Sequence, residues 1–313
     1  ACGAAAFMQD STNFKNHNRY SSSTRRLFLK QWSCVAVVSS FLLLGSAEAF
    51  AFQKQVDSAV APPTNPALVA YKPLSVSVND INNNINDVQV PVACWFPASK
   101  EESLEKSATY KHRISIRRIG QLLVGWDFIP EFLSKQYDLS PTSDFVKDGE
   151  DVQNLPKNLP LVLLAHGYLG SRFDLSHLAE RLSQELQCVC IAPEYPESLA
   201  ASFDRMEGLD RSLITTQVLD EILPRVNPTA CGSVGHSLGC GTVLQTGDKK
   251  WVRVCIAGFP RAETATRVEN ILFVTSTQDG LMARFGKDGI PIPSDYARLS
   301  QEKTFGISEN EFR

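Results

Sequence analysis

The sequence predicts an α/β fold in which a mostly parallel central sheet is flanked by helices. From about residue 160, runs typical of strands alternate with runs typical of helices, at residues 175–186 and 212–226. The strand-like run Leu161–Ala165 is continuously apolar, as expected of a strand that is buried on both faces. Two further apolar runs follow at residues 251–257 and 271–275. We therefore predict a doubly wound sheet with its chemistry at the carboxyl ends of the strands.

The chain upstream of this region has a different pattern. Residues 74–78 and 89–96 are β-branched or alternate in polarity, and the stretch between them is rich in Asp and Asn, which predicts a β-hairpin. Residues 111–118 alternate isoleucine with basic side chains and favour a further strand or the start of a helix. Residues 119–132 are rich in Leu, Trp and Phe, and either pack into the core as a helix or cap a pocket.

Composition excludes several classes of function. The 313 residues carry a formal net charge of -3, and residues 1–49 contribute +3 to it, so the rest of the chain carries -6. A negatively charged domain has no excess of basic residues that would attract nucleic acid, so no nucleic-acid partner is expected. The eight cysteines contain no Cys-x-x-Cys pair, which favours buried thiols over a disulfide framework or a zinc site. The sequence implies no metal or organic cofactor.

Residues 1–49 are predicted to form a targeting presequence. Residues 24–30, Thr-Arg-Arg-Leu-Phe-Leu-Lys, resemble a twin-arginine export signal. The mostly apolar run at residues 34–45 has the length of a signal h-region, and Ala-Glu-Ala at residues 47–49 supplies a cleavage site before Phe50. A signal anchor that stays in the membrane is the alternative. Residues 50–70 are predicted to be a flexible Pro- and Ala-rich connector, and residues 71–313 the α/β domain.

Two details of the presequence favour a plastid. Residues 11–26 are rich in Ser, Thr, Asn and basic residues and lack acidic ones, which is typical of a transit peptide. Residues 4–7 and 47–50 both resemble the Ala-x-Ala-Phe cleavage sites of algae with secondary plastids. Together with the twin-arginine signal, they predict the thylakoid lumen of an alga. A single secretory signal that starts at Met8 is the alternative, and in both cases the mature protein crosses a membrane.

The motif G-x-S-x-G occurs at residues 235–239, which read Gly-His-Ser-Leu-Gly. A small, mostly apolar run precedes it and a run typical of a helix follows it, which is the context of a nucleophile elbow. In such a turn the backbone exposes the serine hydroxyl, and side chains at the two glycines would collide with the neighbouring strand and helix. Ser237 is therefore predicted to be a catalytic nucleophile.

Three signatures between about residues 88 and 279 resemble the α/β-hydrolase superfamily. Residues 92–97, Val-Ala-Cys-Trp-Phe-Pro, are similar to a Trp-Tyr-Pro-type strand end, and residues 161–170 are similar to the His-Gly loop after the third strand. The third signature is the serine motif. Together they most resemble the group of dienelactone hydrolases and platelet-activating-factor acetylhydrolases. The resemblance implies an α/β-hydrolase fold and hydrolysis of a carboxylic ester, from a lipid or an acylated small molecule, through an acyl-enzyme on Ser237.

The resemblance also implies roles for individual residues. The backbone N–H groups of Leu238 and Tyr168 would form the oxyanion hole. Asp279 follows the strand-like run 271–275, where most members of the superfamily carry the catalytic acid. The acetylhydrolases place their acid after the preceding strand, which leaves Glu263 as a second candidate. Membrane contact is expected only through the presequence or a lipid substrate.

The catalytic base has no candidate in the printed sequence. The superfamily orders its triad as serine, acid and histidine, yet all five histidines precede Ser237. In the resemblance, His166 orders the backbone of its loop, and His236 would point away from the serine hydroxyl. We expect that residues 71–313 lack a final strand and helix, with the catalytic histidine beyond Arg313 and the fragment inactive. One alternative is a non-catalytic binding module on the same fold. The other is an enzyme with a more specific activity, a chlorophyllase-like esterase.

Overall fold

The computed structural model describes residues 68–80, 83, 85–98, 106–125, 136–150, 152–201, 209–258, 268 and 270–274. All of them belong to one compact unit, Pro63–Arg313. The predicted presequence, most of the predicted connector and the two acid candidates, Glu263 and Asp279, lie outside the described residues.

Strands contain more of the described residues than helices do. They are β1 (Val69–Asp80), β2 (Ile85–Pro97), β3 (Ser107–Thr109), β4 (Arg113–Ser115), β5 (Gln136–Asp138), β6 (Thr142–Asp148), β7 (Leu161–Ala165), β8 (Val189–Pro193), β9 (Cys231–His236), β10 (Val252–Ile256) and β11 (Asn270–Val274). The helices are α1 (Ile116–Ile119), continued by a π-helical turn (Gly120–Val124), α2 (Ser176–Glu185), α3 (Arg211–Val226) and α4 (Gly239–Gln245). Within the described ranges, no helix is both long and apolar enough to span a bilayer.

Nine of these strands form one sheet in the order β11-β10-β9-β7-β8-β2-β1-β6-β3, and β4 pairs with β5 separately. The five strands from β11 to β8 are mutually parallel. Strand β2 is antiparallel to both of its neighbours and forms with β1 the hairpin that the sequence predicts. The sheet is therefore mostly parallel, as predicted.

Helices cover both faces of this sheet. Residues of α3 and α4, such as Ile214 and Val243, share a buried cluster with Leu163 of β7. The next residue along β7, Leu164, packs instead with Ala179 of α2 in a second cluster. Successive side chains of a strand point to opposite faces, so α2 lies on the face opposite to α3 and α4. This arrangement confirms the predicted doubly wound layout.

The strand register brings the carboxyl ends of the parallel strands to one edge. Ala165 of β7 lies opposite Gly235 of β9, and His236 lies opposite Ile256 of β10. Ile256 in turn lies opposite Val274, the last residue of β11. Loops that leave adjacent strands consequently start about 5 Å apart, and we refer to this side of the sheet as the carboxyl edge.

The sequence patterns missed three strands, namely β3, β5 and β6. Strand β5 is exposed along its whole length, and β3 buries a single side chain. Such strands lack the apolar alternation that a sequence pattern detects. Residues 111–118 satisfy both predictions made for them, because strand β4 leads directly into α1.

Six cysteines are described, and all six are free thiols. Five of them are buried and one, Cys231, is partly exposed. Burial raises the pKa of the Cys190 thiol to about 12, so this thiol stays protonated near neutral pH. The five buried cysteines among the described residues therefore behave as small apolar core residues, as the sequence predicts.

Candidate active site

Ser237 occupies the junction between β9 and α4 at the carboxyl edge. Its φ of 53° lies in the left-handed region, which non-glycine residues rarely adopt. Two backbone hydrogen bonds hold this conformation: the Ser237 N–H donates to the Ile256 carbonyl (2.9 Å), and the Ser237 carbonyl accepts from the Cys240 N–H (3.1 Å). A strained backbone that its neighbours fix so firmly is typical of a functional site.

The two glycines of the serine motif permit close contacts on either side of the turn. A Cβ on Gly235 would lie 2.4 Å from the carbonyl oxygen of Gly239, at the start of α4. A Cβ on Gly239 would lie 2.1 Å from the carbonyl oxygen of Ala165, at the end of β7. Neither position has room for a side chain, so the glycines let α4 start directly above the sheet.

The loop that follows β7 lies against the serine. A Cβ on Gly167 would lie 3.1 Å from the Cβ of Ser237, and 3.3 Å from Nδ1 of His236. Tyr168, the next residue along this loop, therefore lies beside the serine turn, where Leu238 also lies. The structure thus brings together three of the four predicted site residues.

His166 organises the backbone of this loop and is buried. Its Nδ1–H donates to the Gly167 carbonyl (2.8 Å), and its Nε2 accepts from the Tyr195 N–H (3.1 Å), which fixes the Nδ1–H tautomer. Burial, assisted by the positive charge of Arg211, lowers the pKa of His166 to about 3. The ring is therefore neutral at physiological pH, with both nitrogens engaged, and cannot serve as a general base for Ser237.

These bonds also orient the Tyr168 N–H. No described peptide bond is cis, and in a trans peptide the C=O and the N–H point in opposite directions. Because the Gly167 carbonyl is turned toward the His166 ring, the Tyr168 N–H points away from that ring. The Leu169 N–H donates to the Glu197 carbonyl (3.0 Å), which fixes the following peptide plane. The backbone N–H groups of Tyr168 and Leu238 donate to no backbone carbonyl among the described residues.

A buried carboxylate lies behind the same loop. The side chain of Glu194, at the end of β8, accepts from the Arg172 N–H (3.1 Å) and forms an ion pair with the Arg172 guanidinium. Burial raises the pKa of Glu194, and the arginine opposes that shift. One carboxylate oxygen lies 3.4 Å from Nε2 of His166, and the two contacts with Arg172 attach the loop after β7 to the end of β8.

A short helical segment lies over the loop. The Tyr168 hydroxyl donates to the Leu122 carbonyl (2.5 Å) in the π-helical turn after α1. The buried guanidinium of Arg118 donates to the Ser198 carbonyl (3.3 Å) in the loop after β8. Leu123 keeps 39% of its surface exposed. The described part of residues 119–132 therefore favours the cap over the core-packing helix.

Asp279 and Glu263 lie outside the described residues, so the structure does not locate either acid. The sequence patterns also missed Glu194, Arg172 and the buried Arg211, whose guanidinium donates to the His166 carbonyl (2.6 Å). Glu194 directly follows the apolar strand β8, and this position was a signal that could have identified it. Arg211 begins a helix far from any motif, so the sequence offered no such signal for it. The described residues contain no cluster of three or more potential metal ligands.

Comparisons with known proteins give structural similarity only. No protein-family model and no curated protein matches the chain. Among solved structures, a ferulic acid esterase from Streptomyces cinnamoneus is similar with a TM-score of 0.43 and 16% identity, covering 74% of this chain and 83% of that one. A cold-adapted esterase from an Arctic intertidal metagenomic library has a TM-score of 0.43 and 14% identity, over 79% and 86% of the two chains.

A dienelactone hydrolase from Anabaena variabilis is also similar, with a TM-score of 0.35 and 16% identity, over 64% of this chain and 83% of that one. The topology of the chain itself identifies the fold. A doubly wound sheet with an antiparallel β2, and a strand-serine-helix turn after a central parallel strand, is the α/β-hydrolase fold. The fold that the sequence predicts is therefore confirmed.

Proposed function

We propose that this chain, which has the α/β-hydrolase fold, is a serine hydrolase that cleaves carboxylic esters through an acyl-enzyme on Ser237. The observation that carries the proposal is the backbone of Ser237. Its φ of 53° at the junction of β9 and α4, with Gly167 packed against its Cβ, is the geometry that presents a serine hydroxyl to a substrate carbonyl. The substrate would be the ester of a lipid or of an acylated small molecule.

The oxyanion hole in this proposal consists of the N–H groups of Leu238 and Tyr168. Both lie beside the serine, and neither donates to another described residue. In the tetrahedral intermediate the former carbonyl oxygen becomes negative, and both groups would donate to it. The loss of one such donor lowers kcat by about 10²- to 10³-fold in enzymes of this kind.

Asp279 is the proposed acid, and its place in the chain fits that role. Val274 ends β11 at the carboxyl edge, two strands away from β9, which corresponds to about 10 Å. The five residues from Val274 to Asp279 can extend over about 17 Å, so the chain is long enough to bring the carboxylate near the serine. The histidine that Asp279 would orient stays a prediction.

The first experiment compares Ser237→Ala with the unaltered full-length protein in the hydrolysis of p-nitrophenyl butyrate. We expect kcat to fall by about 10³-fold or more, because the nucleophile is lost. Ser233→Ala is the matched control: this serine lies four residues earlier on β9, and its hydroxyl has no partner among the described residues. The control is expected to retain the activity of the unaltered protein.

The alternative functions give different results in the same assay. Unchanged hydrolysis by Ser237→Ala would exclude Ser237 as the nucleophile. A full-length protein without hydrolysis of any ester, including chlorophyll, would favour the non-catalytic binding module. Preference for chlorophyll over short acyl esters would favour the chlorophyllase-like esterase.

The acid is tested by a pair of variants. Asp279→Asn is expected to lower kcat by about 10⁴-fold, since an amide cannot hold the histidine in its working tautomer. Glu263→Gln is expected to keep kcat within about threefold of the unaltered protein, because one triad needs one acid. The reverse result would make Glu263 the acid.

We also propose that the protein is exported and that the mature chain begins at Phe50. The proposal depends on the twin-arginine-type signal and the Ala-Glu-Ala site in the sequence. N-terminal sequencing of the protein recovered from its cells tests it. A chain that starts at Phe50 and is found in the thylakoid lumen supports the plastid route, and recovery from the medium supports the secretory alternative.

A further inference from the structure

Arg211, the first residue of α3, is a buried arginine that contacts three separate segments of the carboxyl edge. Its Nη2 donates to the His166 carbonyl (2.6 Å) in the loop after β7. Its Nε donates to the Thr242 hydroxyl (2.7 Å) on α4. Its Nη1 forms an ion pair with the Glu197 carboxylate (3.0 Å) in the loop after β8.

The face of the guanidinium is also occupied. Its carbon lies 3.9 Å from the centre of the Tyr195 ring, within the range of a cation–π contact. The Tyr195 N–H is the group that donates to the His166 ring (3.1 Å). The same arginine therefore holds the carbonyl of His166 directly and the ring of His166 through Tyr195.

Two of the three segments carry the proposed oxyanion donors. Tyr168 lies two residues after His166, and Leu238 lies four residues before Thr242. A planar guanidinium presents its N–H groups in fixed directions, so the distance between its two acceptors varies little. The Arg211 fork consequently fixes the β7 loop relative to the start of α4.

We propose that Arg211 is a positioning residue for the oxyanion hole: its guanidinium sets the separation and direction of the Tyr168 and Leu238 N–H groups. This inference rests on the proposed function. Oxyanion donors stabilise the transition state only at about 2.7–3.1 Å from the developing charge, and a misplacement of about 1 Å can cost about 10²-fold in rate. Arg211 itself touches neither the substrate nor the serine hydroxyl in this scheme.

The test substitutes Arg211→Lys, which keeps the charge and the aliphatic stem but cannot donate in three fixed directions. The matched control is Arg253→Lys. Arg253 is also a buried arginine, and it donates to the carbonyls of Val243 (2.9 Å) and Thr246 (3.0 Å), at the far end of α4 from the serine. Thr242→Val removes one arm of the Arg211 contact without altering the arginine.

The readouts are kcat and KM for p-nitrophenyl butyrate, the affinity for 1-butaneboronic acid, and the melting temperature. The boronic acid forms a tetrahedral adduct with a serine and mimics the oxyanion. We expect Arg211→Lys to lower kcat and the affinity for the boronic acid by about 10²-fold each, with KM changed by less than about threefold. Thr242→Val should lower both by about tenfold, and Arg253→Lys should change neither.

The outcomes separate this inference from the function on which it rests. If Arg211→Lys loses thermal stability as Arg253→Lys does but keeps kcat and boronic acid affinity, Arg211 is structural and the inference is wrong. The proposed function fails if the unaltered protein hydrolyses no ester, or if Ser237→Ala hydrolyses esters as fast as the unaltered protein does. In either case the inference about Arg211 fails with it.

Discussion

Gly239 approaches the carbonyl oxygen of Ala165 so closely that a Cβ at this position would lie 2.1 Å from that oxygen. The contact joins the start of α4 to the end of β7, the two elements that flank the proposed oxyanion hole. Backbone atoms form both sides of the contact, so neither can move aside as a flexible side chain could. The absence of a side chain at Gly239 thus determines how close the serine turn lies to the β7 loop.

Gly239→Ala is accordingly expected to destabilise the protein by about 1–3 kcal/mol, the usual range for overpacking, and to lower esterase activity. Gly241→Ala provides the matched control two residues later on α4, because a Cβ there meets nothing within 4 Å. In a helix interior that change is expected to stabilise the protein by up to about 1 kcal/mol. Urea unfolding of both variants measures the difference, and equal effects of the two substitutions would contradict the contact.

Buried His166 predicts a dependence of stability on pH. Burial lowers its pKa to about 3 in the folded protein, while an unfolded chain titrates near the ordinary value of 6.5. Between these two values the unfolded state binds more protons, so the contribution of His166 to the free energy of unfolding falls as the pH falls from about 6.5 toward 3. One such group contributes a slope of up to about 1.4 kcal/mol per pH unit.

His166→Gln should reduce this slope, because the variant has one group fewer that is protonated on unfolding. Half-buried His112, whose pKa burial lowers to about 4, contributes to the remaining slope. Urea unfolding at several pH values between 4 and 6.5 measures it, with His177→Gln, a change on the exposed side of α2, as the control. An unchanged slope in His166→Gln would show that this imidazole is accessible to protons in the folded state.

We expect the hydroxyl of Tyr168 to affect the KM for esters with long acyl chains. It donates to the Leu122 carbonyl (2.5 Å), while the proposed oxyanion donor is the backbone N–H of the same residue. Tyr168→Phe should therefore keep kcat for short esters and loosen the helical segment above the loop. A hydrogen bond of about 0.5–1.5 kcal/mol corresponds to a change of about 2- to 12-fold, expected in KM for p-nitrophenyl octanoate.

The control for that prediction is Tyr137→Phe, which removes a hydroxyl from an exposed tyrosine on β5. An equal change in KM for acetate and octanoate esters would contradict the assignment of residues 119–125 to the cap. A large fall in kcat would show instead that the hydroxyl, and not only the backbone of Tyr168, takes part in the reaction.

The core of the fold follows directly from the sequence. Leu161–Ala165 is a strand at the predicted bounds because five consecutive apolar residues are compatible with burial on both faces. The helices predicted at residues 175–186 and 212–226 have bounds within a residue or two of those of α2 and α3. The edge strands escaped detection, since β5 is fully exposed and its pairing with β4 depends on distant residues.

The candidate site was predictable only where a backbone turn leaves a sequence signature. Gly235 and Gly239 identify the serine turn because no other residue fits there. Arg211 carries no such signature, because its contacts to the β7 loop join residues that are distant in sequence. Such polar contacts depend on the tertiary structure, and composition and spacing do not reveal them.

The central claim is that Ser237 is a nucleophile, and covalent labelling tests it most directly. The purified full-length protein would be treated with a fluorophosphonate, and the modified peptide would be located by mass spectrometry, with Ser237→Ala and Ser233→Ala in parallel. We expect one adduct, on Ser237, present in Ser233→Ala and absent from Ser237→Ala. A protein that carries no adduct, or that is labelled equally in Ser237→Ala, would contradict the account.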